Sequence, residues 1–404
     1  MKMKIFEIGP VVICVAILIL LPACLGQETV DRLEMLYIGD YIASNPGVVA
    51  IESDPLIIPS YVPATTGWFQ TDQIARAMRL YLPRTYQVLI EEYDLSVLSD
   101  ADPWSLPDRW DLYLMESVSK DGLSMLMTGG HRGLGGSGAA REHWDGTRVE
   151  SVLPVNIIAG SIVGQIGIGA TLKPMVSISD DPLMRSLPWQ ACPFFTEINE
   201  VTEKQGAITP FVLDREERNP VISYWDYAEG RALIFASDWH GYGTRAMQHW
   251  QFFDDAVINM VYHVSAVQLP PDPIIANQIR TSFKNFRIRE GALHAVLEIV
   301  EQFGANTMPV RQDLGEVNDI RRAGESLYLS QQYVEALAEM DTALEELSSL
   351  EKRAVELQKR ALIWIYAIEW LAITGTCMIT GFVVYELMIK QRLFREVGAT
   401  RRKR

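Results

Sequence analysis

Cysteine is nearly absent from the body of this chain. Of four cysteines in 404 residues, Cys14 and Cys24 lie in or beside an N-terminal apolar run and Cys377 lies in a C-terminal one, which leaves Cys192 alone between them. A single thiol makes no intradomain disulfide and no cysteine-rich metal centre, so the domain must rest on its apolar core. Positive charge is also short: 36 Lys and Arg face 51 Asp and Glu, for a net charge of −15. The imbalance is larger in the body, because the tail after Ile389, KQRLFREVGATRRKR, holds seven basic residues and one acid; removing its +6 leaves −21. A body this acidic repels phosphate backbones, which excludes nucleic acid as a partner. Asp94, Asp100, Asp102, Asp108 and Asp111 form an acidic stretch without the Asp-x-Asp-x-Asp-Gly spacing of a calcium loop, so it reads as solvated loop. Gly133-x-Gly135-x-x-Gly138 has the letters of a dinucleotide fingerprint but not its setting. It does not open a regular helix, and residue 158 is Ile where an acid is needed. No metal and no cofactor is expected.

What the chain does have is two long apolar runs. Residues 1–26, MKMKIFEIGPVVICVAILILLPACLG, combine Lys2 and Lys4 with the uninterrupted Val11–Leu21 and small residues after it, the layout of a secretory signal cleaved near Gly26. Leu21-Pro-Ala-Cys24 also has the outline of a lipidation site, and an uncleaved anchor is the third reading. The second run, Ala361–Ile389, is long enough to cross a bilayer. Trp364, Tyr366 and Trp370 at one end and Tyr385 at the other sit where aromatic belts form, and Glu369 and Glu386 lie near the ends rather than mid-bilayer. The basic residues from Lys390 on mark the cytoplasmic side. The expected layout is a signal at 1–26, an α/β domain at 27–266, a linker at 267–275, a helical or coiled-coil stalk at 276–360, a membrane helix at 361–389 and a basic cytoplasmic tail at 390–404. The lipid bilayer is then the partner of Ala361–Ile389, and the large domain lies outside the cell membrane.

Between these ends, Leu33–Ile38, Thr85–Ile90, Trp110–Met115 and Gly122–Thr128 read as strands and Asp72–Leu82 as a helix, an alternation that predicts a mostly parallel α/β sheet. Apolar segments follow at Val149–Ile158, Val221–Tyr227 and Arg231–Ala236, with Ala228-Glu229-Gly230 as a hairpin turn, and Thr244–Val264 reads as a closing helix. Leu269-Pro-Pro-Asp-Pro273 breaks the pattern. Helices are then expected at Ala276–Phe286, Gly291–Phe303 and Arg311–Leu329. From Tyr333, Leu337, Met340, Leu344, Leu347, Leu350, Ala354, Leu357 and Ala361 form one apolar seam that continues into the membrane run. Residues 323–347 have the look of a single tetratricopeptide-type helix pair, although a plain stalk or small bundle fits them better. Self-association through the seam is an expectation of the pattern.

Three segments, taken together, carry a family resemblance. LSMLMTGGHRGLGG followed by Leu153-Pro-Val, GRALIFASDWHGYG followed by Trp250-Gln-Phe-Phe, and the opening YIGDY at 37–41 are similar to the glutamine-amidotransferase-like relatives of the class I amidotransferases, over roughly residues 33–265. The resemblance implies a flavodoxin-like three-layer sandwich. It does not extend to the nucleophile: no Gly-x-Cys-x-Gly elbow is present, and Cys192 sits in WQACPFF beside proline. The domain therefore reads as a catalytically degenerate member that binds glutamine, another ligand or a protein. Ligands of this fold sit beyond the carboxyl ends of strands, which makes Gly129, Gly130, His131, Ser237, Asp238 and His240 the candidate binding residues. The alternatives are a tethered hydrolase or amidase that uses His131, Asp238 and His240 for acid–base work, and a structural component of the cell envelope.

Overall fold

The computed structural model describes residues 32–137, 143–164, 171–216 and 218–401. The expected signal at 1–26 with Cys14 and Cys24, as well as Gly138 and tail residues 402–404, lies outside the described residues.

The strands are β1 (Leu33–Gly39), β2 (Ile57–Pro63), β3 (Leu95–Ser99), β4 (Ser124–Thr128), β5 (Val155–Val163), β6 (Pro174–Val176), β7 (Ile198–Glu203), β8 (Ile208–Leu213), β9 (Pro220–Tyr227) and β10 (Gly230–Phe235). Eight of them form one mixed sheet in the order β2-β1-β3-β4-β10-β9-β8-β6, and β5 pairs with β7 in a second, two-stranded sheet. The five strands from β2 to β10 run parallel, and the other three continue the sheet antiparallel. β3 and β4 are buried along their whole lengths, as parallel strands covered on both faces must be. The expected hairpin is present, with Tyr227 opposite Gly230 across β9 and β10.

The helices of this domain are α1 (Pro46–Ser53), α2 (Thr71–Tyr81), α3 (Tyr86–Glu92), α4 (Trp110–Asp121), α5 (Arg148–Val152), α6 (Pro182–Arg185) and α7 (Phe253–Val264). The chain leaves β1 toward β2 and leaves β3 in the opposite direction toward β4. α1 packs against α7, while α4 packs against α5 and β10.

Two expected strands are helices instead. Residues 86–92 form α3 because Thr85 caps them, its hydroxyl accepting from Val88 N at 3.3 Å. Residues 110–121 form α4, which buries Trp110, Leu114, Ser117 and Val118 at helical spacing and stops at Gly122, whose φ of 77° suits a glycine C-cap. The apolar segment Val149–Ile158 divides, its first residues ending α5 and Val155 opening β5. The closing helix starts at Phe253, preceded by a short 3₁₀ turn over Met247–His249.

Beyond this domain three helices pack as a bundle: α8 (Pro273–Gln302), α9 (Met308–Leu329) and α10 (Tyr333–Arg401). Where two helices were expected, α8 is continuous. Asp272 caps it, accepting from Ile274 N at 2.8 Å and Ile275 N at 3.2 Å. The seam of α10 is turned toward α8 and α9: Met340, Leu347, Leu350 and Ala354 are buried with Phe286, Leu297 and Leu314. Burial ends at Ala361, where the apolar run begins, and from Leu362 on side chains such as Trp364, Leu371 and Phe382 stand exposed. This stretch is the one helix among the described residues long and apolar enough to cross a membrane.

The bundle docks on the sheet domain through a buried ionic cluster. Arg280 of α8, 2% exposed, donates from Nη1 to Asp255 Oδ1 at 2.8 Å and Asn259 Oδ1 at 2.9 Å, and from Nε to the Tyr328 hydroxyl at 3.0 Å. Its Nε also lies 3.3 Å from Asp54 Oδ2. Asp54, the C-cap of α1, accepts from the hydroxyls of Tyr262 and Tyr328 at 2.8 and 2.6 Å.

Candidate functional site

The carboxyl ends of the parallel strands converge on one cleft of about 600 Å³. Asp40 follows β1, Asp100 follows β3, His131 and Arg132 follow β4, and His240 and Tyr242 follow β10; Gly67 and Trp68 come from the loop after β2, and Glu197 immediately precedes β7. The opposite winding at β1 and β3 makes those two strands the switch point, where the chain leaves a crevice.

Asp40, fully buried, organises the floor. Its carboxylate accepts from the Tyr37 hydroxyl at 2.6 Å and from Asn45 Nδ2 at 3.1 Å, and pairs with His240 Nδ1 at 2.8 Å. Asn45 in turn caps α1 by accepting from Gly47 N. Gly39, at φ 141°, is required here: a Cβ would lie 1.8 Å from Ser99 O, where β1 and β3 come together.

Asp100 Oδ1 accepts the backbone N–H of Arg132 at 2.6 Å and of Gly133 at 3.1 Å. Burial raises its carboxyl to about 6, with the neighbouring Asp40 and Asp238 adding to the rise and His240 opposing it. For His240, burial works against the charged ring, but Asp238, the hydrogen bond to Asp40 and the charge of Asp100 outweigh it and lift the imidazole to about 10. His240 is therefore an imidazolium at neutral pH, held among three carboxylates.

The glycine-rich turn after β4 is a packing device. Gly130 has φ 127°, and a Cβ there would come within 2.4 Å of Asp100 Oδ1. Asn199 holds this turn, accepting from Gly130 N at 2.7 Å and donating to Gly130 O at 3.2 Å. Gly129 N reaches Phe235 O and Ser237 O across β10.

The six residues expected to form a site thus divide. His131 and His240 line the cleft. Gly129 and Gly130 shape the turn beneath it. The Ser237 hydroxyl donates to Glu197 O at 2.9 Å and is turned into the structure. Asp238 closes the following loop, accepting from Gly241 N at 2.7 Å and Tyr242 N at 3.1 Å, and from Gly243 N and the Thr244 hydroxyl. Asp238 and His240 do not share a hydrogen bond: Oδ1 to Nε2 is 4.0 Å. His131, half exposed, pairs through Nε2 with Glu197 Oε2 at 3.0 Å.

Asp40, Trp68, Asp100, Glu197 and Tyr242 are additional. Trp68 and Tyr242 lie 21° apart in plane with centroids at 6.1 Å, and both edge the His240 ring. The acidic stretch supplies no shared site, and it is not solvated throughout as expected: Asp100 and Asp102 are buried at 3% and 4% exposure. Asp94 accepts from Glu34 N, Asp102 from Thr66, and Asp111 pairs with Arg148, and no group of His, Cys, Asp or Glu among the described residues could hold a metal ion. Cys192 packs half-buried against the core, away from the cleft, and burial pushes its thiol up to about 12.

Residues 87–266 match the model of a family described as "Putative glutamine amidotransferase". That span holds Asp100, His131, Glu197, His240 and Tyr242, and leaves out Asp40 and Trp68. Two solved structures of cytoplasmic proteins from Salmonella typhimurium are similar at 18% and 17% identity, each with a TM-score of 0.47, covering 57% of this chain and 99% of theirs. A β-galactosidase from Bacillus circulans is similar at 9% identity and a TM-score of 0.34, covering 59% of this chain and 32% of its own. No curated protein matches.

Proposed function

We propose that the glutamine-amidotransferase-like domain formed by residues 87–266, completed by β1, α1 and β2, is a non-catalytic binding domain held at a membrane surface. The observation that carries this is how the polar groups around the cleft are used. Ser237 is spent on Glu197 O, Asp238 on its own loop, and His240 Nδ1 on Asp40. The Cys192 thiol stays protonated and distant. Acyl transfer needs a nucleophile within reach of a base and of oxyanion donors, and among the described residues no hydroxyl or thiol, Ser137 of the cleft lining included, is hydrogen-bonded to His131 or His240. The parallel strands run in the order β2-β1-β3-β4-β10, which supports a flavodoxin-like sandwich, and in such a sandwich a ligand sits beyond the carboxyl ends of the strands.

The membrane placement rests on α10. Its exposed apolar stretch, apolar all round from Leu362, is what a span needs and a solvated helix avoids. With a signal at 1–26, the domain at 27–266 lies outside the cell, the segment 267–275 leads into a stalk at 276–360, Ala361–Ile389 crosses the bilayer and the basic tail 390–404 lies in the cytoplasm. Self-association through the seam would first require α10 to part from α8 and α9.

The hydrolase reading retains one observation, the His131–Glu197 pair facing the cleft. Ammonia release from L-glutamine by the full-length protein separates the two. Background release supports binding, whereas turnover abolished in His131→Ala or His240→Gln contradicts it.

A further inference from the structure

The cleft floor presents an unpaired donor beside an unpaired acceptor. His240 Nδ1 is taken by Asp40, but among the described residues Nε2 has only Asp238 Oδ1, at 4.0 Å, beyond hydrogen-bond reach. Asp100 Oδ1 takes two backbone N–H groups, while Oδ2 accepts none among the described residues. Both side chains are more than nine-tenths buried, His240 at 5% and Asp100 at 3% exposed, and both line the cleft. Polar atoms of nine-tenths-buried side chains that open only onto a cleft favour a ligand that brings their partners.

The surrounding charges sort the ligand classes. Asp40, Asp100, Asp238 and Glu197 outnumber His240 and Arg132, and Arg132 itself stands 3.8 Å from Asp102, so a free anion is repelled. The same balance draws a cation toward the cleft, but at the floor beside Asp100 a cation meets the like charge of the His240 ring. Hydroxyl groups escape both penalties, since each donates one hydrogen bond and accepts others. One hydroxyl donates to Asp100 Oδ2 while its neighbour accepts from His240 Nε2–H. Above this floor stand Trp68 and Tyr242, each 43% exposed, near-parallel and open to the cleft. They offer an aromatic surface to a ring with an apolar face.

We infer that the cleft binds a neutral polyhydroxylated ring, a carbohydrate of one or two sugar residues, with neighbouring hydroxyls on Asp100 and His240 and its C–H face on Trp68 and Tyr242. The inference rests on the reading of this cleft as a binding site, and the volume of about 600 Å³ suits a ligand of that size.

The test uses the full-length protein in nanodiscs. Glucose, galactose, mannose, maltose and cellobiose are titrated by saturation-transfer NMR and tryptophan fluorescence, with putrescine, citrate and L-glutamine as comparison probes. Saturation transfer to the ring C–H protons of at least one sugar is expected, with Kd raised about tenfold or more in Trp68→Ala and in Asp100→Asn. Asp100→Asn keeps an oxygen for the N–H groups of Arg132 and Gly133, and an unchanged Tm in either variant shows the fold intact. Binding of glutamine, putrescine or citrate without any sugar overturns the ligand class and leaves the binding reading standing. Ammonia release from glutamine overturns the binding reading itself. Sugar binding indifferent to both variants, or no binding by any probe, overturns the carbohydrate inference.

Discussion

Arg280→Ala removes a cation buried between the sheet domain and the helical bundle, and its cost follows from what it leaves behind. Asp54 keeps the hydroxyls of Tyr262 and Tyr328, but Asp255, fully buried, keeps only Asn277 Nδ2 at 2.6 Å in place of the 2.8 Å contact to Arg280. Breaking a buried ion pair from one side costs about 3–5 kcal/mol, since the surviving charge stays desolvated. Loss of the packed stem alone would cost about 1–2 kcal/mol. Removing the charges together, in Arg280→Met with Asp54→Asn and Asp255→Asn, recovers most of the loss. pH sets the sign of a second effect. Burial already holds the Asp255 carboxyl above its ordinary value, with Arg280 opposing that rise. Without Arg280 the folded state binds this proton more tightly than the unfolded state does, so the deficit shrinks as pH falls. Urea unfolding of the full-length protein in detergent micelles at pH 8 and pH 5 measures both. A loss under about 1 kcal/mol at pH 8, or a larger loss at pH 5 than at pH 8, would refute the assignment of a buried ionic joint.

Three other outcomes follow from the same structure. His240→Gln lowers stability most below pH 6.5. The deficit fades as pH rises toward 10, because a histidine whose pKa is raised to about 10 loses its stabilising charge over that window; thermal melts at pH 6 and pH 9.5 check the sign. Gly130→Ala places a Cβ 2.4 Å from Asp100 Oδ1 on a backbone at φ 127°, and should cost roughly 2 kcal/mol or more in urea unfolding. A chain ending at Arg360 keeps the buried seam and lacks the exposed apolar stretch, so it should leave the membrane pellet in alkaline carbonate while the full chain stays.

Much of the α/β domain was legible in its residues. YIGDY, the Gly-Gly after β4, the Ala-Glu-Gly hairpin and the Ser-Asp loop each mark a strand end, and strand ends are where this fold places its cleft. The misread helices have a common cause. TYQVLI and WDLYLM look β-like over six residues, and the helical spacing from Trp110 to Val118 emerges only when the window reaches the Gly122 stop. His131 and His240 were visible because histidines are few. Asp40 was in view within YIGDY, but its pairing with His240 spans 200 residues and follows from strand order alone. Trp68 and Glu197 come from loops whose sequence carries no mark of the cleft. The inward turn of Ser237 and Asp238 is a matter of loop geometry that residue type does not encode. The α10 seam was read correctly as a helix face, while its partners α8 and α9 in the same chain required the fold.

Protease digestion of sealed cells carrying a C-terminal epitope tests the membrane-tethered layout most directly. External protease is expected to remove the α/β domain and leave a short protected fragment, from near Ala361 to the tail, that still carries the epitope. Loss of the epitope with the cells sealed, or a full-length chain that stays protected until they are lysed, would contradict it.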